Sequence, residues 1–270
     1  MTARNERHPG KWWGDFEIEE TGTRSWSIGP FRMWVLRSPV EWSVSMTRAG
    51  EAYDSSLAVA LDDEAAPGEG AETRRFGFRG SPGTLQVRPL LAPWPVIVNP
   101  LRPFAVPGGQ EVVIYVGTPL WISLAVAPPR TALLDAPLHH PSATWFGGDT
   151  RQGELCYASR THANLRLENV RHWPHRAVSP VRIRNRAGGL LEVRNLRLPM
   201  PNLSLFADGA GRLWTQTVVL EREEDGDFAA LRLETDPPEA AGSMETVGGP
   251  RELAGKRVLV RAFGRIFGQG

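Results

Sequence analysis

Cys156 is the chain's one cysteine, and five of its six histidines (His139, His140, His162, His172 and His175) fall within residues 139–175 around it. A thiol beside an imidazole is what a cysteine nucleophile needs, and imidazoles with a carboxylate such as Asp149 are zinc donors. The spacing supports neither. His172-Trp-Pro-His175 has proline between its ends, so the two histidines do not share a helical face. No paired zinc spacing occurs, so no metal is expected. Cys156 lies in Gly153-Glu-Leu-Cys-Tyr157, where apolar neighbours favour a small buried hydrophobe. The phosphate-loop, dinucleotide and serine-elbow patterns are absent. No catalytic residue and no cofactor is therefore expected. If an enzyme site is assembled between distant segments, His140, Asp149, Cys156 and His162 are its best members. Paired carboxylates for glycoside hydrolysis leave no local signature and stay open.

Two residue types carry binding chemistry. Of 31 basic residues only Lys11 and Lys256 are lysines. Arginine's forked guanidinium suits carboxylate and phosphate. Nine arginines lie between Arg160 and Arg197, and Arg182, Arg184 and Arg186 alternate with apolar residues. On a strand they share one face, either a solvated face paired with acidic neighbours or an anionic docking surface. Base-stacking aromatics are poorly interleaved there, so nucleic acid is not an expected partner. Ten tryptophans are many for this length, and Trp12, Trp13, Trp26, Trp34, Trp42 and Trp94 fall in the first half. Most belong in a large core, but Trp12 and Trp13 near the terminus are candidates for an exposed sugar-binding or interface platform.

These residues must be positioned by strands. Trp26 to Val35 turns at Gly29-Pro30, Trp42, Val44 and Met46 alternate with serines, and Leu85 and Val87 alternate with Gln86 and Arg88. Such period-two patterns mark half-buried strands. Val112–Val116 and Leu120–Val126 around Gly117-Thr118-Pro119 read as a hairpin, as do Val181–Arg184 and Leu191–Arg194 around Asn185–Gly189. Leu165 and Leu167 read as a further strand, Leu213–Leu220 as one strand hairpinned with Phe228–Leu233, and 237–250 as a loop. The Pro- and Gly-rich stretch 129–149 reads as a linker or crossover. Leu259, Ala262, Phe263, Ile266 and Phe267 recur at helical spacing, so residues 251–270 are expected to form a basic amphipathic helix carrying Arg257, Arg261 and Arg265.

The expected fold is thus all-β: two β-sandwich-like units, 1–128 and 150–250, joined by the 129–149 crossover and followed by the C-terminal helix. Net charge is +1, 41% of residues are hydrophobic and 23% charged, the balance of an ordinary globular domain. One cysteine allows no intrachain disulfide, and no apolar run approaches the ~20 residues of a membrane span. With no secretory leader visible, the cytoplasm is the expected compartment.

Several strings resemble bacterial members of the family designated domain of unknown function 432. They are Trp12-Trp13-Gly-Asp-Phe-Glu-Ile18, Trp26-Ser-Ile-Gly-Pro30, Met33-Trp-Val35, Thr118-Pro-Leu-Trp121 and Thr144-Trp-Phe-Gly147, then Gly153 to Thr161, Pro174 to Val178, Pro180 to Asn185, Leu213 to Gln216 and Val260-Arg-Ala-Phe263. The resemblance spans nearly the whole chain and implies no assigned chemistry.

The leading functional expectation is a non-enzymatic interaction or regulatory module. Its partner is an unidentified protein, in solution or membrane-associated, and the basic helix would offer a peripheral membrane contact. Edge strands leave room for a homodimer. The alternatives are a carbohydrate- or small-ligand-binding β module and an enzyme with its site between the two units.

Overall fold

Apolar side chains at every second position bury one face of a strand, and the computed structural model shows the pattern directly between Trp26 and Met46: Trp26, Ile28, Met33, Val35, Trp42, Val44 and Met46 are all within 1% of full burial. The structure describes residues 11–48, 50–51, 53–61, 67–68, 70–147, 153–239, 242–253, 258–263 and 266–267.

In chain order the strands are β1 (Gly14–Glu17), β2 (Thr23–Ile28), β3 (Phe31–Ser38), β4 (Glu41–Thr47), β5 (Leu57–Leu61), β6 (Glu72–Gly77), β7 (Thr84–Leu91), β8 (Val96–Pro100), β9 (Phe104–Val106), β10 (Glu111–Ala127), β11 (Thr131–Pro137) and β12 (Ser142–Phe146). They continue as β13 (Glu154–Thr161), β14 (Arg176–Asn185), β15 (Leu191–Val193), β16 (Leu196–Leu198), β17 (Leu205–Asp208), β18 (Leu213–Thr215), β19 (Val218–Arg222), β20 (Phe228–Leu233), β21 (Met244–Gly248), β22 (Val258–Arg261) and β23 (Ile266–Phe267). The protein is all-β. Short 3-10 turns occur at Leu167–Asn169 and Met200–Asn202.

Strands β5-β2-β3-β4-β6 form an antiparallel sheet. A second, larger sheet runs β1-β7-β10-β14-β18-β17-β21, with β11 beside β10, β19 beside β14, β20 beside β19 and β22 beside β20. A third sheet, β16-β8-β13-β12-β23, contains the parallel pair β8–β13, and β9 pairs with β15. One continuous core packs Trp12, Trp26 and Trp42 with Leu85, Ile114, Ile183 and Leu220, drawing on both ends of the chain.

Several local expectations change. Gly117-Thr118-Pro119 is not a turn: β10 runs straight through it and changes partner there, pairing with β14 up to Pro119 and with β7 and β11 from Leu120 or Trp121 onward. Proline is tolerated at the change-over because no ladder bond requires its missing N–H. Residues 185–189 do turn, but β15 pairs with β9 rather than β14, because the Asn185 side-chain amide donates to the Val106 carbonyl at 2.9 Å and fastens the turn to that segment. Leu167 sits in a 3-10 turn, residues 213–220 divide between β18 and β19, and the stretch 237–250 holds β21. The stretch 129–149 carries β11 and β12.

The largest correction is at the C-terminus. No helix forms over the described residues: β22 adds an edge to β20, and Ala262 and Phe263 then drop into the core at 0% and 2% exposure. Val258 and Val260 are β-branched, and pairing with β20 gives their backbone the hydrogen bonds a lone helix would otherwise supply. Arg257 and Arg265 lie outside the described residues.

Candidate functional site

The residues chosen from sequence are mostly committed to structure. Trp12 is 1% exposed; its indole N–H donates to the Pro174 carbonyl at 3.1 Å and its own carbonyl accepts from the Trp26 indole at 3.1 Å. Trp13 is half-buried, edge-on to Trp12. The pair therefore anchors the N-terminal segment and is not an open platform. Arg182 and Arg184 do share the outer face of β14, with Val181 and Ile183 fully buried beneath. Each meets carboxylates, however: Arg182 pairs with Glu111 and Glu234, Arg184 with Glu111, and Arg186, just past the strand, with Glu221. Arg182 also lines a cavity of about 590 Å³ with Tyr115, Thr217, Arg232 and the segment from Glu234 to Glu239. Arg261 pairs with Asp227 and lies over the Phe228 ring.

The enzyme candidates fare similarly. Cys156 is fully buried with Ile97 and Phe146 on the side of the third sheet away from the main core. Burial pushes its thiol up to about 12, with Glu154 adding to the rise. His140 and His162 are exposed, and Asp149 lies outside the described residues. Among the described residues no cluster of three or more metal-binding side chains occurs.

A different constellation emerges where β10 and β13 meet. Tyr157, Ser159 and Thr161 lie on one face of β13, spaced about 6.6 Å apart by the strand repeat. Gly117, Pro119 and Trp121 lie on the facing side of β10. At one end, Trp121 and Tyr157 pack at 5.3 Å between centroids, and Trp94 stacks on Tyr157 at 4.9 Å with 21° between planes. Pro93 and Pro95 flank Trp94 and restrict its backbone, and the ring remains 40% exposed. Beside it Arg251 grips Asp135 through two hydrogen bonds and donates from Nε to the Leu91 carbonyl at 2.7 Å. Burial raises the Tyr157 pKa; Arg251 opposes the shift and Asp135 adds to it, which places that ion pair close to the ring.

At the other end Arg176, opposite Pro119 on β14, reaches across β10. Its Nη1 donates to the Gly117 carbonyl at 3.3 Å and to Ser159 Oγ at 3.2 Å. Gly117 leaves the Thr161 hydroxyl room: a Cβ there would sit a tight 3.2 Å from Thr161 Oγ1 and in ordinary contact with Arg176 Cδ at 3.5 Å. The Gly117 N–H donates to Thr161 Oγ1 at 3.1 Å. His139 follows β11, held by the Leu138 N–H donating to the Leu120 carbonyl at 3.0 Å. Burial lowers the His139 pKa, and the charge of Arg176 lowers it further. Tyr53 lies on the far side, its ring 5.7 Å from Trp173.

The seam thus offers an aromatic platform, a carboxylate–guanidinium pair, two hydroxyls and a guanidinium in a line. None of these was selected as a site from sequence. Trp94 stood only among six tryptophans, and Arg176 only among nine arginines.

Fold and seam define an all-β protein whose β10–β13 seam gathers aromatic, hydroxyl and guanidinium groups. The chain belongs to the family described as a protein of unknown function, DUF432, whose model matches residues 12–267. No curated protein and no solved structure matches it. Among the described residues no helix is long and apolar enough to cross a membrane.

Proposed function

We propose that this protein is a non-catalytic ligand-binding module that takes a carbohydrate along the β10–β13 seam. The observation that carries the reading is Trp94: an indole stacked on Tyr157 and held between two prolines, yet 40% exposed. A large apolar ring costs free energy in water, and its negative π-face attracts the slightly positive C–H bonds of a sugar ring. The Asp135–Arg251 pair alongside supplies an acceptor and a donor for ring hydroxyls. A few placed polar groups around an aromatic surface is the usual make-up of a small-ligand site. The interaction-module reading loses the support that it drew from a basic terminal helix, because Val258–Arg261 is a strand and Arg261 is paired with Asp227.

Intrinsic fluorescence titration with a panel of mono- and oligosaccharides tests the reading. At least one sugar should shift the emission, and Trp94→Ala should weaken its binding about tenfold or more, in line with the 1–3 kcal/mol that ring stacking contributes in related aromatic sites. A flat response to the whole panel, or equal binding by Trp94→Ala, would rule it out.

A further inference from the structure

Arg176 differs from five other restricted arginines of this protein. Arg37, Arg48, Arg182, Arg197 and Arg222 each lie within 4.0 Å of a carboxylate. Arg176 meets none among the described residues. Its hydrogen bonds come from Nη1 alone and go to a neutral carbonyl and a neutral hydroxyl. Nε and Nη2 donate to no described residue. Taking a guanidinium partly out of water without a counter-charge costs free energy, and the cost falls when an anion arrives.

The surroundings are also those of an anion site. His139 stands close enough to feel the charge of Arg176, and so does Tyr53. His140 is the further titratable neighbour of His139. The Ser159 and Thr161 hydroxyls lie on the strand face below. The glycine at 117 lets the Thr161 hydroxyl approach β10 closely. The fork geometry of arginine matches a carboxylate or phosphate through two parallel N–H donors, and here Nε and Nη2 form such a fork.

We infer that Arg176, with His139 and the Ser159 and Thr161 hydroxyls, binds the oxyanion of the ligand, so that the seam selects an acidic sugar, a uronate or a sugar phosphate. This rests on the carbohydrate reading of the seam and adds its charge requirement. Ser159 is two residues from Tyr157 on one strand face, about 6.6 Å along the strand, so Arg176 and the Trp94–Tyr157 stack serve the same face.

The full-length protein is titrated with glucose, glucuronate and glucose 6-phosphate, and separately with inorganic phosphate and acetate, by calorimetry at low ionic strength. At least one acidic sugar should bind tenfold or more tighter than glucose. Arg176→Gln should erase that preference, so that acidic sugars bind this variant no tighter than glucose does, whereas Trp94→Ala should weaken neutral and acidic sugars alike. The phosphate and acetate arms distinguish a phosphate site from a carboxylate site. Should Arg176→Gln fail to fold, the wild type still gives a readout: the preferred anion should raise the His139 titration midpoint, followed by NMR of the imidazole. Equal affinity for neutral and acidic sugars, a preference that survives Arg176→Gln, or an unmoved His139 midpoint under saturating anion would each overturn the inference. Phosphate or acetate binding that depends on Arg176 while no sugar binds would instead overturn the carbohydrate reading and leave the anion site standing.

Discussion

Replacing Asp208 by asparagine removes one charge and almost no volume from a site whose hydrogen bonds can be counted. The Asp208 side chain closes the turn after β17: Oδ1 accepts from the Ala210 and Arg212 backbone N–H groups, both at 3.0 Å, and Oδ2 accepts from Arg212 Nε at 2.6 Å and the Trp214 indole at 3.1 Å. Trp214 is 1% exposed and Asp208 5%. An amide presents one acceptor where the carboxylate presents two, so in either orientation its NH2 faces two donors. Two hydrogen bonds to a charged acceptor are lost, each contributing about 1.5 kcal/mol at the low end of its range. The expected destabilisation is about 3 kcal/mol, or about 6 °C in melting temperature for a chain of this length. Burial alone would raise the Asp208 pKa, but the four donors outweigh it and leave the carboxyl below its ordinary value. A carboxyl depressed in the folded state contributes its full stability above the unfolded value of about 3.9 and loses it as pH falls through the folded one. The gap between wild type and Asp208→Asn should therefore be constant from pH 7 to about 5 and narrow as pH falls below about 3.9. Thermal melts followed by near-ultraviolet circular dichroism across that range measure both. A variant melting within 1 °C of wild type at pH 7, or a gap that widens in acid, would refute the argument.

Three further outcomes are expected. Phe263→Ala should cost about 3 kcal/mol in urea unfolding, as for a core phenylalanine, whereas a solvent-facing terminal residue would cost under 0.5. Gly29→Ala should cost about 3 kcal/mol, since Gly29 has φ +56° and an added Cβ would meet the buried His175 ring at 2.1 Å, combining left-handed strain with overpacking; a loss under 1 kcal/mol would contradict the close contact. Cys156 should resist a thiol reagent at pH 8 in the native state and react at once in denaturant, because its thiol sits at about 12; stoichiometric native labelling within minutes would contradict its burial.

Where a strand pairs with its chain neighbour, local pattern was enough to find it. The β2–β3 hairpin about Gly29-Pro30 and the β19–β20 hairpin follow from alternation and turn residues alone. Long-range pairing was not legible. Nothing within Val112–Val126 says that its two halves serve different neighbours, and nothing near Leu191 says that β9 is its partner. The terminal apolar spacing fits a helix face, yet Leu259 is 70% exposed while Ala262 and Phe263 are buried, an outcome decided by the open edge of β20. The seam was invisible for the same reason. Arg182 and Arg184 looked available until Glu111 and Glu234 arrived from other strands. Arg176 looked like its neighbours until none of those carboxylates proved to reach it.

β10 has a consequence for how the molecule comes apart. Its first nine residues are zipped to β14 and the remainder to β7 and β11, so a rupture at either end strips support from the other. Its central amides should be among the last to exchange with deuterium, in step with the Met33 and Leu220 regions rather than in two separate waves. Because the first half of β10 has no partner strand until β14 has been made, a nascent chain must hold Val112 to Pro119 unpaired while about sixty further residues emerge, over several seconds at ordinary rates of synthesis. During that interval an apolar edge is exposed to other copies, which makes shielding of this one strand the step on which yield of the folded protein depends.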